Sequence, residues 1–557
     1  MSDDLQLRLL FDASTIGDPK DKLAQYGEVF ERKIPDQNGQ NYSGPIIWDT
    51  TTWAVNSLID YHNAYLLLPI TVANDANTKD SAGAEAGLVV WDQNTMVALR
   101  QSVYDAVGGL NIQVNGTEIV NEPQGERFLI NNKLVVEHSN DWAFSMGAEL
   151  HFAKSGVDQC ATDGYFPTAC IERNPQFWER CEILRTEVSN SQKATFANTR
   201  SFNLKLPLMY LHSFFERANF IMPNTPIRLQ LTPSWMTGVN YNKSTFMVQQ
   251  NALTAMTSAT MPQRFTVSIT SNGPCYLVAK HVKLNARENS LLGEKLAHGL
   301  PKHINYSTYQ YVEIKTGTDL ILGAQANYDT QVTTRTLTNS VTNAKRLWIF
   351  PMMAGCLVER GAAAGNLADS ILLPSRFGNV MNGVFENFQI LINNEPFFET
   401  PLNTFDQWKQ LESQFPNEAF KHAPGSLLNY KDYTIRCASG APGNAAGSGF
   451  IYPSGSSSAL VNPYYHPICV DISRRTDLFP ANAPIQIQIQ TARVITAGFN
   501  AAAAGIVPGG LALPANAGGT DHTAGPLVGD IYLLCYIERE VGVSLAFGSN
   551  AVAVRVL

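Results

Sequence analysis

The stretch ERANFIMPNTPIRLQLT at residues 216–232 returns as RRTDLFPANAPIQIQIQ at residues 474–490. Laid side by side without a gap, Arg217 meets Arg475, Asn224 meets Asn482, Pro226 meets Pro484, Ile227 meets Ile485 and Gln230 meets Gln488, at an offset of 484 − 226 = 258 residues. In each copy a proline ends an irregular run, and apolar residues then fall on alternate positions: Ile227, Leu229 and Leu231, then Ile485, Ile487 and Ile489. Successive side chains of a strand point to opposite faces, so a period of two describes a strand with one buried face.

Two further echoes keep the same order. CYLVAKHVKLNARE (275–288) corresponds to IYLLCYIERE (531–540), with Tyr276 matched to Tyr532, and LNIQVNGTE (110–118) corresponds to FQILINNE (388–395). The last pair matches Ile112 with Ile390, Val114 with Ile392 and Asn115 with Asn393. Offsets that differ only by loop-sized amounts predict two copies of one β-domain joined end to end. Chain length agrees, because 557 residues exceed the ~250–300 at which a single core stops growing. Frequent turns, with 40 Gly and 29 Pro, favour antiparallel sandwiches or barrels over an alternating α/β chain.

Along the chain, residues 1–33 form an arm of mixed charge without the pattern of a secretory signal, which predicts a soluble protein made in the cytosol. The continuous apolar run SLIDYHNAYLLLPITV (57–72) predicts a central strand buried on both faces. Further strands are expected at Leu110, at residues 133–137 and at Phe202, Leu204, Leu206 and Leu208. Residues 154–198 form an excursion with one helix, capped by Asn174, opened by Pro175 and carrying Phe177, Cys181 and Leu184 on one face. Residues 288–303 read as a linker with a helical turn stopped by Gly299 and Pro301. The second domain opens with strands at 309–314 and 344–353, and a helix at 404–415 has a Thr404/Gln407 capping box and an apolar face of Phe405, Trp408 and Leu411. The expected division is an arm (1–33), a first barrel (34–287), a linker with a short helix (288–307) and a second barrel (308–557).

The Gly/Ala/Ser-rich stretches 438–458 and 501–525 read as long loops; Pro508, Gly509, Gly510 and Pro514 prevent a membrane-spanning helix in the second. Two strands lie between these loops, and each antiparallel strand reverses the chain, so both should emerge at one pole. The same parity places residues 154–198 and 237–262 at the matching pole of the first domain.

No HExxH, GxSxG or GxxxxGK[ST] motif occurs, and no Cys/His set has metal-ligand spacing. We therefore expect no catalytic, cofactor-binding or metal-binding residues, no cofactor and no enzymatic activity. His138, Asp141 and His151 lack ligand spacing, and Glu538 and Glu540 around Arg539 fit a strand-end charge network better than a glycosidase pair. None of the eight cysteines forms a CxxC pair; Cys275, Cys469 and Cys535 fall in expected strands as buried thiols, and reduced thiols are the default, with a Cys160–Cys170 loop bridge the alternative that the inferred reducing compartment disfavours. Asn41, Asn115, Asn242 and Asn305 sit in N-x-S/T sequons that carry little weight without a signal peptide. A net charge of −8 and the lack of any Lys/Arg cluster argue against direct nucleic-acid binding.

Three stretches add a resemblance. LKLPLMYLHSFFERANFIMP (204–223) and YLVAKHVKLNARENSLLGEKL (276–296) resemble two strand-and-turn regions of the double jelly-roll major capsid proteins of double-stranded DNA viruses, in their nucleocytoplasmic large-virus members. NAYLLLPITV (63–72) is similar to an early strand of the relatives in virophages and polinton-like viruses of protists. The longer arginine run that follows the first barrel in the large viruses is missing here, so the resemblance leans toward the polinton-like and virophage side. It implies two tandem eight-stranded antiparallel jelly-roll barrels with short helices in loops. It also implies a homotrimer of pseudo-hexagonal outline that tiles an icosahedral shell in the virion, with penton and minor capsid proteins as further partners and synthesis in the host cytoplasm. The alternative from another class is a double jelly-roll carbohydrate-binding or glycan-cleaving protein, which should carry a secretory signal and a convergent carboxylate or aromatic cleft.

Overall fold

The computed structural model describes Tyr42 and residues 26–39, 44–54, 57–74, 95–99, 102–152, 199–234, 246–250, 265–269, 273–284, 286–297, 300–315, 332–338, 343–353, 380–381, 384–414, 464–465, 467–473, 484–492, 506–507, 511–512, 531–548 and 552–556. Among the described residues, eight strands form the frame of the first barrel, with Met222–Pro223 and Phe265–Ile269 also paired to the third of them: β1 (Tyr26–Pro35), β2 (Ile46–Asp49), β3 (Leu58–Asn74), β4 (Val107–Val114), β5 (Thr117–Glu122), β6 (Thr199–Pro207), β7 (Ile227–Pro233) and β8 (Tyr276–Leu284). Eight build the second: β9 (Leu300–Lys315), β10 (Val332–Thr338), β11 (Ala344–Met353), β12 (Val384–Ile392), β13 (Glu395–Pro396), β14 (Ile468–Asp471), β15 (Ile485–Ala492) and β16 (Ile531–Phe547). A further strand, β17 (Val552–Val556), lies along β16.

The sheets run β1-β8-β3-β6 and β2-β7-β4-β5 in the first barrel, and β9-β16-β11-β14 and β10-β15-β12-β13 in the second. All these pairings are antiparallel, and adding eight to each strand number of the first barrel yields the second. The chain is thus two tandem jelly rolls of one topology.

The echoed residues occupy equivalent sites. Ile112 faces Leu229 and Val114 faces Ile227 across β4 and β7, just as Ile390 faces Ile487 and Ile392 faces Ile485 across β12 and β15. All eight are at most 1% exposed, and burying an aliphatic side chain of this size stabilises by roughly 1.5–3 kcal/mol. Each copy then turns through two residues of positive φ, Asn115 (47°) and Gly116 (78°) in one, Asn393 (54°) and Asn394 (65°) in the other. Such turns match strand twist, and Asn and Gly tolerate the left-handed region. The Asn115 N–H donates to the Pro226 carbonyl and the Asn393 N–H to the Pro484 carbonyl, both at 2.9 Å, so the echoed prolines anchor the echoed turns.

Several expectations are corrected. Residues 133–137 are no strand but the end of α1 (Glu126–Glu137); a five-residue window hides the turn-by-turn spacing of buried Ile130 and Leu134. The run through β3 is buried on both faces only over residues 58–61, and from Ala64 to Ile70 it alternates, which its unbroken apolar sequence conceals. Leu208 leaves β6 to open α2 (Leu208–Leu211), followed by α3 (Ser213–Arg217). The helical turn of the linker is a twelve-residue helix, α4 (Ala286–Ala297), and Pro301 starts no stop but sits second in β9, where a strand edge tolerates it. The helix α5 (Thr404–Gln414) is capped one residue earlier than expected: Asn403 Oδ1 accepts from the Asp406 N–H at 3.0 Å. Its Trp408 and Leu411 are buried, but Phe405 is 50% exposed. Within 501–525, residues Ile506–Val507 and Leu511–Ala512 pair as a short hairpin. The helix expected around Asn174, Cys160, Cys170 and Cys181, and Asn482 lie outside the described residues.

Between residues 438–458 and 501–525 the described strands are Tyr464–Tyr465, β14 and β15, and the pole expected for those two stretches concerns residues that lie mostly outside the described ones. Among the described residues no helix is long and apolar enough to cross a membrane.

Candidate functional site

The chemistry of this chain concentrates where the two barrels meet. One hydrophobic cluster runs through both, joining Leu129, Phe214 and Leu231 of the first to Tyr306, Trp348 and Phe547 of the second. The Phe214 and Tyr306 rings meet edge to face with centroids 5.6 Å apart, and Phe220 meets Phe547 at 6.1 Å. Such pairs add ~0.5–1.5 kcal/mol each beyond their burial.

Strand β9 is an edge: β16 holds one side, and the first barrel caps the other. The Ser307 N–H donates to Ser213 Oγ at 3.0 Å, the Ser213 hydroxyl donates back to the Ser307 carbonyl at 2.9 Å, and the Tyr309 N–H donates to Glu122 Oε1 at 2.7 Å. Alternate residues of an edge strand turn their amides outward, and α3 and the end of β5 supply side-chain acceptors there. The Tyr306 hydroxyl donates to the Ile119 carbonyl at 2.7 Å, and the Tyr536 hydroxyl to the Gly125 carbonyl at 2.8 Å. Asn115 Nδ2 donates to the Val552 carbonyl at 2.6 Å.

Charged groups are drawn into this seam. Glu538 is fully buried; Oε1 accepts from Arg346 Nη2 and Ser307 Oγ, each at 2.7 Å, and Oε2 from Trp348 Nε1 at 3.0 Å. Burial opposes its ionisation, but the Arg346 guanidinium and these hydrogen bonds prevail and hold the carboxyl below its usual range. Glu126, 2% exposed, behaves oppositely: burial and then the neighbouring Glu122 carboxylate push its carboxyl well above the usual range, which favours its protonated form. His212 Nδ1 accepts from the Phe214 N–H at 3.1 Å, which places the proton of a neutral ring on Nε2. That nitrogen lies 3.4 Å from Glu122 Oε2, within ion-pair reach but without hydrogen-bond geometry.

The residues singled out by sequence do not converge on a catalytic arrangement. Glu538 is a buried hub and no strand-end charge, and Glu540 is exposed beside Lys345 Nζ at 3.1 Å. His138 stacks on the Trp142 ring with centroids 4.0 Å apart, and burial, then Lys133, lowers its pKa to about 4. Among the described residues no three His, Cys, Asp or Glu side chains are grouped to hold a metal. Cys275, Cys469 and Cys535 are free and buried, and burial pushes the Cys275 thiol up to about 12, which makes it inert. Sequence inspection missed Glu122, Gly125, Glu126, His212 and Ser213 altogether. The only available signal was an acidic pair beside Gly125 between two apolar runs.

Two jelly rolls of one topology, fused through a shared core and a capped edge, make this a double jelly-roll protein. The same fold occurs in a chain of the Sputnik virophage structure determined by cryo-EM at 3.5 Å, which is 10% identical, with 97% of this chain and 91% of that one covered at a TM-score of 0.50. The crystal structure of the mavirus major capsid protein matches at 11% identity, 97% and 92% coverage and a TM-score of 0.46, and PBCV-1 VP54, fitted into a Sputnik reconstruction, at 10%, 95% and 96%, and 0.42. No protein-family model and no curated protein sequence matches the chain.

Proposed function

We propose that this protein is the major capsid protein of a double-stranded DNA virus of the virophage or polinton-like kind, built into the virion shell as homotrimers. The observation that carries this reading is the matched pair of barrels joined through one shared hydrophobic cluster. Three copies present six near-equivalent barrels, so a trimer acquires a pseudo-hexagonal outline and can tile a closed surface. Its partners are then other copies of itself, within the trimer and between neighbouring capsomers, together with penton and minor capsid proteins; synthesis takes place in the host cytoplasm. The same reading divides the chain into an arm, a first barrel, a helical linker around α4 and a second barrel.

The role is structural, without catalysis, cofactor or direct nucleic-acid binding, in keeping with a net charge of −8. A glycan-cleaving role is disfavoured because Glu538, the one deeply buried acid of the candidate pair, has both oxygens committed to Arg346, Ser307 and Trp348. Light scattering of the purified protein at micromolar concentration, with negative-stain microscopy, tests the proposal. A trimer with a hexagonal outline and interfaces of about 2,000 Å² or more is expected. A stable monomer overturns it.

A further inference from the structure

We propose that Asn115 is a site of spontaneous deamidation, and that its conversion to aspartate or isoaspartate unties the C-terminal strand β17 from the first barrel. Four Asn-Gly pairs occur in the chain, at 38–39, 115–116, 272–273 and 382–383. Among the described residues, Asn115-Gly116 is the pair that forms the exposed tip of a two-residue turn. Gly116 has no side chain to obstruct approach to its nitrogen, and even an added Cβ there would meet nothing within 4 Å.

The chemistry needs only water. The Gly116 backbone nitrogen loses its proton and attacks Asn115 Cγ; the bond from Cγ to Nδ2 breaks, ammonia leaves, and a five-membered succinimide closes. Water then opens the ring at either carbonyl, giving aspartate or isoaspartate. In net terms one amide and one water become one carboxylate and one ammonium.

The second barrel supplies an internal control. Asn393-Asn394 forms the same turn, with φ of 54° and 65° and the same 2.9 Å bond from the first asparagine N–H to a proline carbonyl. There the attacking nitrogen belongs to a residue with a Cβ, which crowds ring closure. Asn38 provides a second contrast: its amide is held at both ends, Nδ2 donating to the Pro45 carbonyl at 2.8 Å and Oδ1 accepting from the Ile47 N–H at 2.9 Å.

Asn115 is distinguished by what its amide holds. Nδ2 is 2.6 Å from the Val552 carbonyl, joining the first barrel to β17. A carboxylate oxygen in that place faces a carbonyl oxygen with no proton between them, and isoaspartate adds a backbone atom to a turn whose register allows two residues. Val552 is fully buried and Val554 packs against the shared core, so losing the tie loosens β17 on its first-barrel side and leaves it held by its ladder with β16.

The test is incubation of the full-length protein in mildly alkaline buffer, followed by peptide mapping with isoaspartate detection and by hydrogen exchange of residues 552–556. The expected result is amide-to-acid conversion at Asn115 ahead of Asn393 and Asn38, with exchange of β17 rising in step. Asn115→Asp should show the fast β17 exchange from the start, and Asn115→Gln should resist conversion. Retention of the Asn115 amide while a synthetic peptide of residues 110–118 deamidates overturns the site. Conversion with β17 exchange unchanged, in the aged protein or in Asn115→Asp, overturns the coupling.

Discussion

The Tyr536 hydroxyl on β16 donates to the carbonyl of Gly125, at the start of α1 in the other barrel, across 2.8 Å. Gly125 can occupy that position because its φ is +84° and because a Cβ there would sit 2.9 Å from the Tyr311 ring and 3.0 Å from the Tyr536 oxygen. Gly125→Ala combines left-handed strain with overpacking against two aromatic residues, a loss of about 2–4 kcal/mol. Denaturant unfolding monitored by tyrosine and tryptophan fluorescence should show the midpoint fall, with the second barrel exposed first.

Glu126 predicts a pH dependence of the seam. Its folded pKa is raised above the ordinary 4.5, so its protonated form is favoured by folding; that contribution is full below 4.5 and is lost as pH climbs through the raised value. Glu126→Gln keeps the shape and stays neutral. Melting temperature recorded from mildly acidic to alkaline pH should decline less steeply in the variant, and equal slopes would refute the assignment.

Glu538→Ala removes the buried carboxylate that accepts from the Arg346 guanidinium and the Trp348 indole N–H. Removing one member of a buried pair costs about 3–5 kcal/mol. Replacing Glu540, which is exposed beside Lys345, should change stability by less than ~1 kcal/mol. The two denaturation curves, compared directly, check the contrast.

Ile112→Ala and Ile390→Ala remove equivalent side chains from equivalent positions, each fully buried. Each should cost about 2–5 kcal/mol through a cavity in its own barrel. Because the sites lie in separate cores, the double variant should lose the sum of the two, and strong non-additivity would contradict the independence of the barrels there.

If the chain builds a shell as proposed and residues 154–198, 237–262, 438–458 and 501–525 share its outer face, protease should cut these first in assembled particles, ahead of residues 1–25. Peptide sequencing of the earliest fragments decides this.

The barrels were legible because their signals are local: the alternation at Ile227 and Ile485, the proline before each and the Asn-led turns are all contained in short windows. The seam was not, because its partners come from distant parts of the chain. Nothing near Ser213 announces Ser307, and nothing near Glu122 announces the Tyr309 amide. Residues 133–137 misled for a related reason, since Leu134, Val135 and Val136 favour a strand locally while packing commits them to α1. Glu538 was noticed as one acid of a cluster, but its burial depends on Arg346 and Trp348 from another strand.

The capped edge of β9 bears on the order in which the protein is made. β9 leaves the ribosome directly after the first barrel is complete, whereas its sheet partner β16 lies near the end of the chain. At roughly 5–20 residues per second the strand waits tens of seconds for that partner. During the wait, Ser213 and Glu122 are already in place to receive the amides of Ser307 and Tyr309. The first barrel is therefore a template on which the second begins, and a gene encoding the second half alone would deliver β9 with nothing to hold it.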